Sequence, residues 1–158
     1  MTKELSMDIR VAVVADIAEM HRVRMSVREN ILSDASKIRI EHYRQMLDEQ
    51  GRGWVCEMDG RIVGFTVADL ARQNLWALFV EPGYEGRGIG CRLHEAALDW
   101  LFESGASAVW LSTTADTRAE RFYKAANWQY AGRQPNGEVR FEMRRGRRHA
   151  PPCSKLYL

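Results

Sequence analysis

The chain has 158 residues, of which 46% are hydrophobic and 28% charged, and its formal net charge at pH 7 is +2. This length and composition predict one domain with a single core, and the longest apolar stretches are far shorter than the ~20 residues that a membrane span requires. Residues 1–4 are polar and lack the apolar core of a signal peptide, so we expect a cytoplasmic protein.

The first third of the chain predicts a strand and two helices. Residues 7–14 read as the strand, and Asp16 is placed to cap the helix that follows. The apolar positions of that helix recur at helical spacing and should face inward: Ile17, Met20, Val23 and Val27. The same spacing predicts a second short helix, with its buried side at Ile40, Tyr43, Met46 and Leu47.

A β-hairpin and a central strand follow these helices. Residues 54–58 and 61–68 are rich in strand formers, and Asp59-Gly60 between them suits a two-residue primed turn. Residues 74–80 are almost continuously apolar, which indicates a strand that is covered on both faces. This strand is therefore predicted to lie in the middle of the sheet.

The next segment says most about function. Residues 85–90 read Glu-Gly-Arg-Gly-Ile-Gly, and a strongly periodic helix begins at once and stops near Gly105. Glycines on alternate positions let several backbone N–H groups converge on an anion, and a helix start adds unpaired donors. We interpret the segment as a phosphate cradle, the alternative being a tight turn without a ligand. Its spacing fits neither a dinucleotide-binding fold nor a nucleotide-hydrolysing P-loop.

The remainder of the chain predicts a strand, a helix and a closing hairpin. Residues 109–111 read as the strand and 117–126 as the helix. Residues 128–133 and 138–144 form the hairpin, in which Val139, Phe141 and Met143 alternate with charged residues. That alternation indicates one buried and one exposed face.

Two motifs resemble the GCN5-related N-acetyltransferase (GNAT) family. Residues 85–90 fill the places of its acyl-CoA loop, (Q/R)-x-x-G-x-(G/A), with Glu85 where Gln or Arg is usual. Residues 116–128 are similar to its N-x-x-A-x-x-F-Y-x-x-x-G-(F/W), with Asp116 replacing Asn and Asn127 replacing Gly. The resemblance implies an α/β (α+β) acyltransferase fold, with a mixed, mostly antiparallel sheet of about six to seven strands and about four flanking helices. The domain would span residues 1–144, and residues 145–158 would form a basic C-terminal tail, partly disordered.

The resemblance also implies a cofactor site and a reaction. Acetyl-CoA would place its diphosphate on the N–H groups of the loop and its pantetheine arm along the fourth strand, where an N–H near residues 78–80 would stabilise the oxyanion. The cofactor-binding residues expected on this basis are Leu78, Phe79, Val80, Glu85, Gly86, Arg87, Gly88, Ile89, Gly90, Cys91, Asp116 and Tyr123. The acetyl group would pass directly to a primary amine of a small molecule or a protein, without a metal.

Tyr123 is the expected catalytic residue. By resemblance it is the tyrosine that protonates the departing CoA thiolate, although it also fits a helical stripe of core residues. The sequence does not identify the base that accepts the amine proton. Glu29 is the first candidate, and the others are Glu41, His42, Asp69 and Glu81; a water chain or a neutral amine needs none. Asp116 has a second interpretation as a helix cap, because Thr117 and Glu120 form a capping box.

Two other functions stay open. The chain is also compatible with a non-catalytic acyl-CoA-binding or regulatory module, and with a nucleic-acid binder that uses the basic tail. Residues 1–139 carry a charge balance of −3 and residues 140–158 one of +5, but no aromatic platform for bases lies near the arginines of residues 144–148. No membrane partner is expected, and a homodimer is the commonest association. The three cysteines, Cys56, Cys91 and Cys153, predict neither a disulfide framework nor a zinc site.

Overall fold

The computed structural model describes residues 6–27 and 40–147. These residues form a seven-stranded sheet in the order β1-β2-β3-β4-β5-β7-β6, antiparallel except between β4 and β5. The strands are β1 Met7–Val11, β2 Gly51–Met58, β3 Arg61–Asp69, β4 Asn74–Val80, β5 Ala108–Thr114, β6 Gln129–Arg133 and β7 Glu138–Arg144. The helices are α1 Ile17–Ser26, α2 Ile40–Gln45, α3 Ile89–Glu103 and α4 Arg118–Ala125. The expected fold class is confirmed.

Strand β4 is the fourth of seven and is covered on both faces, as its apolar sequence predicts. On one face, Ala77 packs in a cluster with residues of α1 and α2, including Val23 and Tyr43. On the other face, Leu78 and Val80 pack against residues of α3 in the larger of the two clusters. The strand therefore separates two cores, and a residue on β4 reaches one layer of helices or the other.

A β-bulge changes which side chains of β4 reach each layer. Val67 of β3 pairs with Ala77 and Ala68 pairs with Leu75, which leaves Trp76 as the extra residue on β4. A bulge bends a strand and re-aims its side chains. Trp76 and Phe79 consequently both pack against the cluster on the α1 and α2 side.

Two element boundaries near the start of the chain differ from expectation. Strand β1 ends at Val11, because the carboxylate of Asp16 accepts hydrogen bonds from the N–H of Val13 (2.8 Å) and from Arg10, which favours a 3₁₀ turn over Val14–Asp16. Asp16 is thus at the start of α1 but makes no capping hydrogen bond to it. After α2 a π-helical turn, Met46–Gln50, leads directly into β2.

The hairpin and the end of the sheet agree with the sequence. Asp59 and Gly60 both have positive φ values, 50° and 77°, as a primed turn requires. In β7 the residues Val139, Phe141 and Met143 are buried, which confirms the predicted alternation. Arg145 continues into a short 3₁₀ turn and donates hydrogen bonds to the carbonyls at the end of α3. The tail from residue 148 onward lies outside the described residues.

No helix in the described part of the chain combines the length and the apolar character that crossing a bilayer would require.

Candidate active site

The two parallel strands of the sheet are joined at one end only. Asn74 and Trp110 form their single register pair, in which the N–H of Trp110 donates to Gln73 O and the side-chain amide of Asn74 donates to Trp110 O, both at 3.0 Å. Beyond this pair, over the described residues of β4 and β5, the strands do not bond to each other. Main-chain groups of β4 are therefore left unpaired on the side that faces β5.

A cavity of about 350 Å³ occupies this gap. Its walls are the main parts of β4 and β5, the end of α1, the start of α4 and the loop after β4. The lining residues outside the two strands are Arg24, Val27, Pro82, Glu85, Thr117, Arg118, Ala119, Tyr123 and Glu138. The predicted residues Leu78, Phe79, Val80, Glu85 and Tyr123 are thus brought to one cavity.

The glycine-rich loop connects this cavity to the start of α3. Gly86 and Gly88 have φ values of 76° and 82°, in the left-handed region that glycine adopts without strain. Gly88 precedes the helix without a side-chain cap, and the N–H of Arg92 donates to Gly88 O at 3.1 Å. The N–H groups of Ile89, Gly90 and Cys91 come before that bond and have no earlier helical carbonyl to reach. The loop therefore has the backbone form of an anion cradle.

The charged side chains of the loop are turned to neighbouring protein groups. Glu85 accepts a hydrogen bond from the N–H of Gly83 at 2.8 Å, so its carboxylate closes the preceding turn. The guanidinium of Arg87 lies 5.2 Å from the ring centre of Tyr84, and Nη1 of Arg92 lies 3.0 Å from the sulfur of Met7. The cradle consequently consists of main-chain donors.

Cys91 is buried in the first turn of α3. Its main-chain N–H belongs to the segment that the sequence predicts to form the cradle.

Tyr123 lies on α4 with its ring packed among aromatic side chains. The rings of Phe122, Trp128 and Phe141 are 5.4, 5.7 and 6.2 Å from it, centre to centre. The carbonyl of Tyr123 accepts the N–H of Trp128 at 3.0 Å, which closes the end of α4 around Asn127, whose φ is 72°. Tyr123 is 5% exposed, and burial raises the pKa of its hydroxyl, so the hydroxyl stays protonated at neutral pH.

Asp116 does not cap α4. Thr117 is the capping residue, since its hydroxyl accepts the N–H of Glu120 at 3.2 Å, and Glu120 accepts the N–H of Asp116 at 2.5 Å. Asp116 itself has a φ of 61°, a conformation that Asp and Asn tolerate better than most residues, and it is not among the residues that line the cavity.

Of the candidate bases, the four that the structure describes do not line the cavity. The buried carboxylate of Glu81 is held by Arg22 and by Arg61, and the hydrogen bonds from Arg61 chiefly keep its pKa below the ordinary value. Asp69 is buried at the end of β3, where one oxygen accepts the N–H of Arg72 at 3.2 Å. Glu41 is exposed on α2 and His42 is next to it. Glu29 lies outside the described residues.

Sequence reasoning missed three charged residues that line the cavity, Arg24, Arg118 and Glu138. Arg24 falls four residues after Met20 and three before Val27, on the apolar face of α1. A positively charged residue on the inward-facing side of a predicted helix was the signal that could have identified Arg24. Glu138 is the first residue of a hairpin strand, and nothing in its local pattern distinguishes it from a solvent-exposed charge.

No set of three or more His, Cys, Asp or Glu residues suited to a metal ion occurs within residues 6–27 and 40–147.

Comparison with known proteins gives consistent results. Residues 16–128 match the family model described as the acetyltransferase (GNAT) family. An uncharacterized N-acetyltransferase of Archaeoglobus fulgidus is 35% identical over 80 residues, which is 44% of this chain and 54% of the relative. One from Mycobacterium tuberculosis is 35% identical over 78 residues, covering 47% and 50%. The chain thus spans about half the length of the curated relatives it matches.

Two solved structures show the same fold at low sequence identity. The PaiA N-acetyltransferase of Thermoplasma acidophilum, in complex with coenzyme A, matches with a TM-score of 0.72 at 16% identity, over 88% of this chain and 99% of the other. The ribosomal-protein-S18-alanine N-acetyltransferase of Escherichia coli matches with a TM-score of 0.70 at 16% identity, over 97% and 100%.

Proposed function

The chain belongs to the acetyltransferase (GNAT) family, and from this premise we propose that it moves the acetyl group of acetyl-CoA to a primary amine. The amine nitrogen attacks the thioester carbonyl directly, so a C–N bond forms as the C–S bond breaks. The amine loses a proton and the CoA thiolate gains one. Neither a covalent enzyme intermediate nor a metal takes part.

The observation that carries this proposal is the open edge of β4 beside the cavity. A pantetheine arm carries amide groups that pair with main-chain N–H and C=O groups as an added strand would. The N–H groups between Leu78 and Val80 would then lie near the thioester, where a fixed donor stabilises the oxyanion of the tetrahedral intermediate. The coenzyme A complex of the Thermoplasma neighbour supports the choice of this co-substrate.

The loop of residues 86–91 would hold the diphosphate of the cofactor. Its support is the pair of left-handed glycines, Gly86 and Gly88, and the N–H groups of Ile89 and Gly90, which start α3 and have no earlier helical carbonyl to bond. The positive end of the helix dipole, about half an elementary charge, favours an anion at the same place. Asp116 is exposed and outside the cavity lining, and its contact with the cofactor stays a prediction.

Tyr123 would act as the general acid toward the CoA thiolate. Its side chain lines the cavity, and burial keeps its hydroxyl in the protonated form that a donor needs. No hydrogen bond from another described residue engages that hydroxyl, so it is available to a ligand. The amine proton would leave through Glu29 or through water, because Glu81 is committed to two arginines.

Replacement of Tyr123 tests this function. Tyr123→Phe keeps the ring packing and removes only the donor, so we expect kcat to fall about 100-fold or more while acetyl-CoA still binds. Thiol release measured over a panel of amines, with calorimetry of acetyl-CoA binding, provides both readouts. Tyr130→Phe, at a half-exposed tyrosine of β6, is the matched control and should leave kcat unchanged.

Three outcomes would contradict parts of the proposal. Full activity of Tyr123→Phe would exclude the general-acid role, and binding of acetyl-CoA without thiol release on any amine would favour a non-catalytic acyl-CoA module. Failure to bind acetyl-CoA at millimolar concentration would reject the function itself. The cytoplasmic location and the homodimer stay predictions, and sedimentation of the purified chain checks the latter.

A further inference from the structure

One wall of the cavity carries a buried cation for which the proposed reaction gives no role. Arg24 lies near the end of α1, is 7% exposed and lines the cavity beside Val27. Its guanidinium carbon is 5.1 Å from the ring centre of Trp76 and 4.9 Å from that of Phe79, both of which β4 presents to this layer together with Ala77. The guanidinium is therefore held in place by aromatic packing.

The charge of Arg24 has no counter-charge among the described residues. Its Nε and Nη1 are buried without a hydrogen-bond partner, and none of the ion pairs formed by the described residues includes it. Arg22, two residues earlier on the same helix, has two carboxylates, Glu19 and Glu81. Within residues 6–27 and 40–147, one arginine of α1 is thus paired with carboxylates and the other, at the cavity, is not.

The polar groups next to Arg24 do not supply a negative charge. Nδ1 of His21 lies 3.0 Å from the hydroxyl of Tyr43. Burial, more than the charge of Arg24, lowers the pKa of His21, and burial raises the pKa of Tyr43, so both are neutral at pH 7. A buried guanidinium with unused donors is costly unless a ligand provides the charge and the acceptor atoms.

We propose that Arg24 binds a carboxylate on the acceptor, and that the chain therefore acetylates small amines that also carry a carboxylate, such as amino acids. This inference rests on the proposed function, because it takes the cavity to be the place where the acceptor meets acetyl-CoA. A carboxylate matches a guanidinium in charge and hydrogen-bonding geometry, which makes arginine a frequent residue at such sites.

The position of Arg24 favours the acceptor over the cofactor as its ligand. Arg24 packs on Trp76 and Phe79, within β4, whereas the cradle for the diphosphate begins only at Gly86, after the strand has ended. Tyr123 lines the same cavity from α4, an element of the other cluster. The cavity of about 350 Å³ must also admit the pantetheine arm, so the acceptor part that reaches Arg24 is small.

Paired acceptors that differ in one carboxylate test the proposal. The probes are ω-amino acids of increasing length and the common L-amino acids, each compared with its carboxamide. Binding to the protein saturated with coenzyme A is measured by calorimetry, and kcat/KM by thiol release with acetyl-CoA. We expect at least one acid to bind and react tenfold or more better than its amide, and Arg24→Gln to abolish that preference.

Two further variants separate a specific role from a general one. Arg24→Lys keeps the charge but not the guanidinium, so we expect an intermediate preference. Arg44→Gln removes an exposed arginine of the neighbouring helix α2 and should leave the preference intact. Coenzyme A binding is measured for every variant, and should Arg24→Gln not fold, Arg24→Lys carries the test.

The result that would overturn the inference is distinct from failure of the proposed function. A wild-type protein that binds coenzyme A but prefers no carboxylate over its amide contradicts the role of Arg24 and leaves the transferase assignment standing. If Arg24→Gln keeps the same preference for the carboxylate as the wild type, the role of Arg24 is contradicted as well. The same holds if this variant loses only its affinity for coenzyme A. Absence of coenzyme A binding in the wild type would instead reject the proposed function and this inference together.

Discussion

Glu81 follows β4 directly and joins that strand to α1 and β3 through charge. Arg61 donates to both of its oxygens, at 2.6 and 3.1 Å, and Arg22 donates to one of them while its Nη2 also donates to Ile62 O at 2.7 Å. The carboxylate is buried, so the two hydrogen-bonded cations keep its pKa below the ordinary 4.5 despite the opposing effect of burial. Glu81 is therefore ionised at every pH at which the protein is expected to work.

Replacement of Glu81 by Gln should cost about 2 kcal/mol of unfolding free energy at pH 7, because it leaves two guanidinium groups facing a neutral amide. A carboxyl group whose pKa is lower in the folded state contributes stability above its unfolded pKa and loses it as the pH falls through the folded value. The difference between wild type and Glu81→Gln should thus be complete at pH 7 and shrink below about pH 4.5. Urea unfolding at pH 7 and pH 3 measures both.

Glu19 provides the matched control for Glu81. It pairs with the same Arg22 but its side chain is 51% exposed, so Glu19→Gln should cost about 0.5 kcal/mol or less. Equal losses for the two variants, or a loss for Glu81→Gln that does not change with pH, would contradict the assigned role.

At the scale of single residues, the sequence predicted those whose type fits a motif and missed those whose role depends on neighbours. Tyr123 was expected because a Phe-Tyr pair falls in register with a family motif. Arg24 was missed because its significance depends on Trp76 and Phe79, which a bulge in β4 turns toward α1. Glu81 was a candidate base. The sequence did not show that its carboxylate is bonded by Arg61 and Arg22, because these arginines are 20 and 59 residues away along the chain.

At the scale of elements, the ends of α3 and α4 could be predicted from the sequence, because residues next to each helix end determine where it stops. Gly105 and Asn127 follow α3 and α4 with φ values of 108° and 72°, and each closes its helix with the hydrogen bonds of a Schellman motif. The early end of β1 was not readable, because it depends on the side chain of Asp16 bonding to Arg10 and Val13. Such contacts have no local sequence pattern.

The loop before α3 permits a test that separates backbone strain from ligand binding. Gly83 and Gly88 both have positive φ, 98° and 82°, and an added Cβ would meet no atom within 4 Å at either position. Gly83→Ala and Gly88→Ala should therefore each lose about 1–2 kcal/mol of stability for the left-handed backbone. Only Gly88→Ala should weaken coenzyme A binding, by about tenfold or more, since that position adjoins the N–H groups of the cradle.

Calorimetry with coenzyme A, together with urea unfolding, provides the two readouts for these glycine variants. If Gly83→Ala weakens binding as much as Gly88→Ala does, the effect comes from the shape of the whole loop, and residues 86–91 are not the specific cradle.

At the scale of the molecule, the central strand could be identified from its apolar run, but the separation of β4 from β5 could not. The separation arises because Asn74 and Gln73 hold Trp110 at one end of the strands, while the helices on either face and the antiparallel partners β3 and β7 hold the other ends. These are contacts between distant parts of the chain. The sequence pointed to them only through its resemblance to a family.

The unpaired edge of β4 makes a prediction about amide hydrogen exchange. In the free protein, N–H groups of β4 that point toward β5 beyond Asn74 have no partner in the sheet and should exchange faster than those of β3, which lies between two bonded neighbours. Acetyl-CoA should slow exchange at Ala77–Val80, because its pantetheine arm pairs with this edge. ADP, which carries a diphosphate but no pantetheine, should add local protection only in the loop and first turn of α3, beyond the protection that any bound ligand gives to the whole fold.

Exchange measured with acetyl-CoA and with ADP, each at saturating concentration, shows whether the ligand binds along the gap between β4 and β5 or only at the loop before α3. A ligand that binds only the folded state at 100 times its dissociation constant adds about 2.7 kcal/mol of stability, which slows exchange through global unfolding everywhere in the sheet. Exchange must therefore be read as the difference between β4 and β3 under each ligand. If acetyl-CoA protects both strands equally, the open edge of β4 is not where the arm binds, because pairing with that edge would protect β4 more than β3.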